Sequence, residues 1–365
     1  MLACAASDGL DWSTRGVQLY RAGRFAEAET AYRRALDMYD RTGQGASLTR
    51  ALTLENIAVM LRAQGRYADS VTLHLEALPR IEELAGAQSV EAARAGSNLA
   101  ALYWSMGRLD LAEPLATRAE ASFEAMQGTI PDREANRQVL ASIYLTQHRY
   151  EEGEKLLQTA LRGGDGVNAV SAYSNLAAAA LGVNENARAE MYARHAVETA
   201  QHELPSNHPL TAVALNNLAQ ACRFEGKYLE AENGYREAIA IWEQRLGGQH
   251  PDLARGLMNL AAFYHERGRE AGAEDLYVRA AGIFEMILGK NSAEALVVRS
   301  ELADVLRAEK RYTEAEKISR ATLPVMRGKL TVDDPRLVRA EMNYAHLREE
   351  SKGVGRRDVK VAALR

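Results

Sequence analysis

Apolar residues recur along this chain at helical spacing, and the stripes come in pairs. In Leu215-Asn-Asn-Leu-Ala-Gln-Ala-Cys-Arg-Phe, the residues Leu215, Leu218, Ala219 and Cys222 fall on one face of a helix. Gly226-Lys-Tyr then interrupts the pattern, and glycine suits the left-handed position that closes a helix. A second stripe begins with Ala231, Tyr235, Ala238 and Ile239, which predicts a second helix returning antiparallel to the first. Small residues where the two cross let the backbones approach closely. Such a hairpin cannot bury both faces alone, so it must stack on neighbours.

The neighbours are copies of itself. Thr14, Asn56, Asn98, Val139, Asn175, Asn217, Asn259, Glu301 and Asn343 hold one place in nine segments, at steps of 42, 42, 41, 36, 42, 42, 42 and 42 residues. Two residues after each comes a small one: Gly16, Ala58, Ala100, Ala141, Ala177, Ala219, Ala261, Ala303 and Ala345. Twelve further on, the first eight copies carry Ala28, Ser70, Ala112, Gly153, Ala189, Ala231, Ala273 and Ala315. Seven beyond those stand Ala35, Ala77, Ala119, Ala160, Ala196, Ala238, Ala280 and Thr322. The expected fold class is all-α, an α-solenoid of about eight helix hairpins with a C-terminal capping helix.

Trp12, Gly16, Gly23, Phe25, Ala28, Tyr32 and Ala35 together resemble the tetratricopeptide repeat. That family's usual unit is about 34 residues. The longer period here, with Asn-Leu-Ala at 98–100, 175–177, 217–219 and 259–261 and with His208-Pro209 and His250-Pro251 between repeats, resembles the long repeats of kinesin light chains. The resemblance covers residues 9 to about 350 and implies a right-handed superhelix. It places repeats near 9–42, 51–84, 93–126, 134–167, 170–203, 212–245, 254–287 and 296–329, with a cap at 336–351. A short leader (1–8) precedes them, and a basic tail (352–365) carrying Arg356, Arg357, Lys360 and Arg365 against Asp358 reads as a solvated, disordered end.

Departures from the pattern carry their own expectations. Asn186 and Glu270 stand where Phe25, Tyr67, Tyr150, Tyr228 and Tyr312 are aromatic, so those two hairpins should pack less well. The 36-residue step shortens the link through Gly163-Gly-Asp-Gly166, which makes this the expected bend. No repeat has the proline that ends the family's second helix, so those helices should run on.

Composition narrows the function classes. At 47% hydrophobic and 26% charged residues the chain is not disordered. Aromatics at 6% force a core of Ala and Leu, in keeping with close-packed helices. A formal charge of −4 gives no electrostatic reason to hold nucleic acid. No apolar run reaches the roughly 18–20 residues that span a bilayer. Two cysteines, Cys4 and Cys222, make neither a disulfide framework nor a tetrahedral zinc site. His265-Glu266 lacks the second histidine of a zinc peptidase helix, and no phosphate-binding glycine loop, dinucleotide turn or nucleophile elbow occurs. Cys222 lies on an apolar stripe and reads as an inert thiol. His208 and His250 precede prolines at helix starts and read as turn residues. No cofactor or metal is implied, and the chain does not read as an enzyme. The start Met1-Leu-Ala-Cys-Ala-Ala-Ser7 is too short for a signal peptide, which gives a cytoplasmic default, with export as the alternative if sequence precedes Met1.

The resemblance implies that the first helix of each repeat lines a concave face where a protein or peptide segment lies. The residues it places there include Asn56, Arg62, Arg94, Asn98, Trp104, Asn175, Asn217, Arg223 and Asn259, with His265, Arg307 and Arg339 further along. Asparagine costs about 0.65 kcal/mol in a helix relative to alanine, so six of them at one register (56, 98, 175, 217, 259, 343) need a reason. Each amide either brackets a ligand's peptide bond or bonds the next helix and fixes stacking. Arg62 and Arg94 are expected as neighbours gripping a carboxylate, which would favour an acidic partner, or as charges neutralised by Glu55. Trp104 either anchors a ligand or covers the next repeat. The reading is a non-catalytic interaction scaffold, with a peptide-gated regulator or an accessory subunit of an enzyme complex as alternatives.

Overall fold

The computed structural model describes residues 2–126, 131–163, 166–332 and 334–362. Among them are seventeen α-helices and no strand. The hairpins begin with α1 (Leu2–Arg21), α3 (Leu48–Ala63), α5 (Val90–Ser105), α7 (Pro131–Thr146), α9 (Gly166–Gly182), α11 (Pro209–Phe224), α13 (Pro251–Glu266) and α15 (Ala293–Ala308). They return through α2 (Phe25–Arg41), α4 (Tyr67–Ala85), α6 (Leu109–Ala125), α8 (Tyr150–Gly163), α10 (Asn186–Glu203), α12 (Tyr228–Leu246), α14 (Glu270–Leu288) and α16 (Tyr312–Arg327). A single helix, α17 (Pro335–Ala362), follows. The fold is an α-solenoid of eight helix hairpins. It divides into two units, Met1–Gly247 with six hairpins and Gly248–Arg365 with two hairpins and α17.

Every hairpin turns by the same device. The amide at the head of each second helix bonds a carbonyl five residues back: Arg24 to Leu19 at 2.9 Å, Arg108 to Tyr103 at 2.8 Å, Lys227 to Cys222 at 2.8 Å, and likewise in the others. This bond closes a helix when the residue before it is left-handed. Gly23, Gly65, Gly107, Gly226 and Gly268 supply that conformation at φ between 67° and 75°. His148, Asn184 and Lys310 adopt it at φ of 62–63° despite their Cβ atoms. Five of the first helices start differently, from a capping side chain. Ser47, Ser89 and Ser292 accept the backbone N–H of Arg50, Ala92 and Ala295. His208 and His250 do the same through Nδ1, each with proline as the first helical residue. Both histidines are therefore helix caps rather than plain turn residues.

The core follows the small-residue columns. Ala58, Ala100, Ala141, Ala177, Ala219 and Ala261 are buried where paired helices cross, opposite Ser70, Ala112, Ala189, Ala231 and Ala273. In six of the eight second helices one large side chain fills the space near the end: Tyr39, Ile81, Phe123, Trp242, Phe284 and Met326 are all buried, while α10 has Ala200 at this place. Hairpins α9–α10 and α13–α14 pack no less closely than the rest, contrary to the expectation from Asn186 and Glu270. The alanine columns carry the packing, through Ala189, Ala193 and Ala196 on α10 and Ala273 and Ala280 on α14, while the missing aromatic belongs to the turn rim.

Successive second helices are laced by ion pairs that join neighbouring hairpins. Glu29 pairs with Arg66 at 3.2 Å, Glu113 with Arg149 at 2.8 Å, Glu190 with Lys227 at 2.5 Å and Glu274 with Arg311 at 2.7 Å, and Glu154 meets Arg188. Each glutamate is the fifth residue of its helix. A single surface pair is worth about 0.2–1 kcal/mol, so the ladder acts mainly on the register between repeats.

α17 docks on α15 and α16 through the buried Leu337, Ala340 and Leu347. It runs on past Ser351 to Ala362, since a helix already nucleated by packing propagates at little cost. α1 likewise starts at Leu2, within the stretch read as a leader. The expected bend falls on residues 164 and 165 and the tail ends at 363–365, all outside the described residues.

Candidate functional site

In register, the ninth residue of α3, α5, α11 and α13 is Asn56, Asn98, Asn217 and Asn259, and the tenth of α9 is Asn175. All five are half-buried. Asn98 Nδ2 donates to Glu55 Oε1 on α3 at 3.0 Å. Asn175 Nδ2 donates to Ser142 Oγ on α7 at 3.2 Å, and Asn217 Nδ2 to the Ser174 carbonyl on α9 at 2.9 Å. Each of these three spends an amide hydrogen on the preceding first helix, which is the stacking alternative. Glu55 is itself buried, held by Asn98 and by His74 Nδ1 at 2.7 Å, and it makes no ion pair with Arg62.

Six residues after each anchor lies a second column. In the first unit it reads Tyr20, Arg62, Trp104, Leu145, Leu181 and Arg223. Arg62 is half-buried, its Nε is buried without an acceptor, and its side chain makes no hydrogen bond or ion pair among the described residues. Arg223 lies 5.2 Å from the centre of the Phe224 ring. Arg94 is not Arg62's neighbour. Asn98 on Glu55 fixes α3 and α5 as parallel and in register, yet Arg62 is the fifteenth residue of α3 and Arg94 the fifth of α5. Ten positions amount to about 15 Å of helix. Arg94 instead lies 3.8 Å from Asp132, whose carboxyl is lifted above its ordinary value by burial and only partly restored by that guanidinium.

Trp104 sits at the edge of a recess of about 280 Å³. Its half-buried ring packs beside the cluster of Ala100, Ala112 and Leu140, and its Nε1 donates to Thr146 Oγ1 at 2.9 Å. Leu145 and Thr146 of α7, Tyr150, and Asn175 and Gly182 of α9 complete the walls. Gly182 is required there, because a Cβ on it would stand 2.2 Å from the Tyr150 ring. Tyr150 Oη is held by His148 Nδ1 at 2.8 Å, in the left-handed turn before α8. Sequence reasoning put Trp104 and Asn175 on the concave face without foreseeing this recess, and it missed Thr146, Tyr150 and Gly182. The one available signal was a glycine near the end of a helix, in the register that holds Thr146 one repeat earlier.

In the second unit the same column holds His265 and Arg307, and both are tied to carboxylates. His265 Nδ1 meets Glu270 Oε2 at 2.5 Å and its Nε2 meets Asp304 Oδ2 at 3.2 Å. Arg307 donates to Asp304 at 2.7 Å and to Glu350 of α17 at 2.7 Å. The hydrogen bond to Asp304, then that to Glu270, raises the His265 pKa to about 9 against burial. A histidine with a raised folded pKa stabilises fully below its unfolded value, near 6.5, and the stabilisation fades as pH rises through 9. For a group this far from full burial about 1–2 kcal/mol is expected to be lost over that window. Thermal melts of parent and His265→Gln at pH 6 and pH 9.5 measure it. The variant should lack this part of the alkaline loss, and an equal loss in both would remove the assignment.

Cys222 is fully buried, and burial pushes its thiol up to about 11, far from a nucleophile's value. No helix among the described residues is long and apolar enough to cross a membrane.

Stacked hairpins with alanine crossings and a register of polar residues along the first helices define a helical-repeat protein. The tetratricopeptide repeat model matches residues 49–125, 168–244, 210–286 and 252–328, well over half of the chain, and the chain belongs to that family. No curated protein matches it. Among solved structures it is similar to a Rap protein complexed with competence and sporulation factor, at 17% identity and TM-score 0.58, over 96% of this chain and 99% of that one. It is similar to the quorum sensor NprR of B. thuringiensis in its apo form, at 16% identity and TM-score 0.59 over 87% of each chain. The APC/C hetero-tetramer Cut9-Hcn1 gives TM-score 0.60 at 13% identity, over 89% of this chain and 54% of that one. At these identities the likeness is one of fold.

Proposed function

We propose that the chain is a non-catalytic scaffold that holds a segment of a protein or peptide partner along its first helices, centred on the Trp104 recess and Arg62. The recess carries this reading. It is a mostly apolar opening walled by three successive first helices and Tyr150 of α8, of a size that suits one apolar side chain, with hydrogen-bonding groups at its rim. Arg62 lies one helix away in the same register, a guanidinium without a carboxylate of its own among the described residues, so an acidic group on the ligand would complete it. Neighbouring helix axes are about 10 Å apart, so an extended ligand would carry its carboxylate and its apolar anchor roughly three to six residues apart. Affinity in such a site is expected at the micromolar level, about −8 kcal/mol.

A peptide selected from a displayed random library against the full chain supplies the probe. Calorimetric titration should show about 30-fold weaker binding for Trp104→Ala and about 10-fold for Arg62→Gln. Unchanged affinity in both variants would discard this site. Turnover by the isolated chain would discard the non-catalytic reading altogether.

A peptide-gated regulator is the second reading. It draws on the Rap protein complexed with its factor and on the quorum sensor NprR, and it predicts compaction in small-angle scattering when the selected peptide binds. A passive scaffold would keep its dimensions.

A further inference from the structure

The first unit closes on itself through one small contact. The turn between α1 and α2 lies against the start of α11 and the end of α12, although 223 residues separate Ala22 from Arg245. Arg245 Nη2 donates to the Ala22 carbonyl at 2.6 Å. Beside it Gly23 is buried, and a Cβ on it would stand 2.7 Å from Pro209 Cδ and 3.1 Å from His208 Cδ2. Gly226 and Gly268 hold the same place in their turns, with the same left-handed backbone, yet a Cβ on either would meet nothing within 4 Å. Gly65 is buried in its own turn as well, so what sets Gly23 apart is the close approach of Pro209 and His208, which comes from docking and not from the type of turn.

The contact is thin for what it joins. A charge-assisted hydrogen bond from Arg245, the packing of Gly23 on Pro209 and His208, and a hydrogen bond between the His208 ring and the Arg21 backbone link the first hairpin to the sixth. Arg245 Nε is buried with no acceptor among the described residues, so the guanidinium is only partly satisfied when docked. His208, which caps α11 at this point, is held neutral by burial and then by the Arg245 charge, with its pKa pushed down to about 4. A second positive charge is thus excluded from the docked turn near neutral pH.

We propose that the α1–α2 turn is a clasp: Arg245 and Pro209 hold the first hairpin of this unit against the sixth, and loss of that contact lets the first hairpin move away. Hairpins α3 to α10, with Arg62 and the Trp104 recess, lie between the two clasped ends, so the clasp sets how far the space they face can open. It is a two-state element of the unit itself and does not depend on what the recess binds.

Distances between two spin labels test it in the full chain. Labels go on Arg21→Cys and Ser206→Cys, both exposed positions flanking the contact, with Cys4→Ser and Cys222→Ala removing the native thiols. The parent should give a short-distance population. Arg245→Ala and Gly23→Ala should each move about half or more of it to longer distances. Gly226→Ala carries the same backbone strain with no docking partner and should leave the distribution unchanged, which separates unclasping from loss of fold. Superimposable distributions in the parent, Arg245→Ala and Gly23→Ala, no short population in the parent, or an equal shift from Gly226→Ala would each overturn the proposal.

Discussion

Replacing Phe123 by alanine is expected to destabilise its hairpin by about 3–5 kcal/mol. Phe123 has no exposed surface. It closes the end of the α5–α6 pair against Ala93 and Ala119, with Val90 and Met126 packed around it. Those neighbours are fixed to helices whose spacing is set by stacking on either side, so the cavity cannot collapse. Repeat arrays couple each unit mainly to its neighbours, so the loss should show first as local opening. Hydrogen exchange in α5 and α6 should accelerate by about two to nearly four orders of magnitude, as about 3–5 kcal/mol demands, while α15 and α16 stay protected. Less than about a tenfold acceleration would mean that the position is not the plug described.

Enlarging the crossing should do comparable harm by the opposite route. At Ala219 of α11 the facing helix presents Gly234, where even an added Cβ would stand 3.0 Å from the Ala219 Cβ. Ala219→Leu adds three carbons at that point and is expected to cost about 1–3 kcal/mol or more, since the helices must part or the side chain must leave its rotamer. Leucine is nearly as good a helix former as alanine, so helix propensity is not the cause. Ala178→Leu, at an exposed position on α9, is the control and should change the melting temperature little. Equal melting temperatures for the two variants would contradict the close crossing.

The repeat was legible because its physics is periodic. Small residues at three fixed offsets can only mean helices crossing at the same place in each copy, and the structure puts those of the eight hairpins in the core, while Ala345 of the unpaired α17 is exposed. The turns were legible where glycine marks them, as at Gly226. His148, Asn184 and Lys310 were not, since the closing hydrogen bond forces a left-handed residue whatever its side chain. The candidate site was only half legible. A residue's register follows from its place in the repeat, so Trp104 and Arg62 were recognisable as lying off the core stripe. Their partners come from other repeats: Thr146 for Trp104, and for Asn98 the Glu55 that Arg62 was thought to share. The pairing of Arg62 with Arg94 failed for the same reason, because a shared face of parallel helices says nothing about height along them. The clasp lies further out of reach, since Ala22 and Arg245 belong to no common period.

A photo-crosslinking amino acid placed at Ala178, beside the recess, and separately at Met191, exposed on the second helix of the same hairpin, would test the scaffold claim most directly. With the library-selected peptide bound, crosslinks should form from position 178 and be nearly absent from position 191. Crosslinking from 191 alone, or equally from both, would place the ligand elsewhere and contradict a partner held along the first helices.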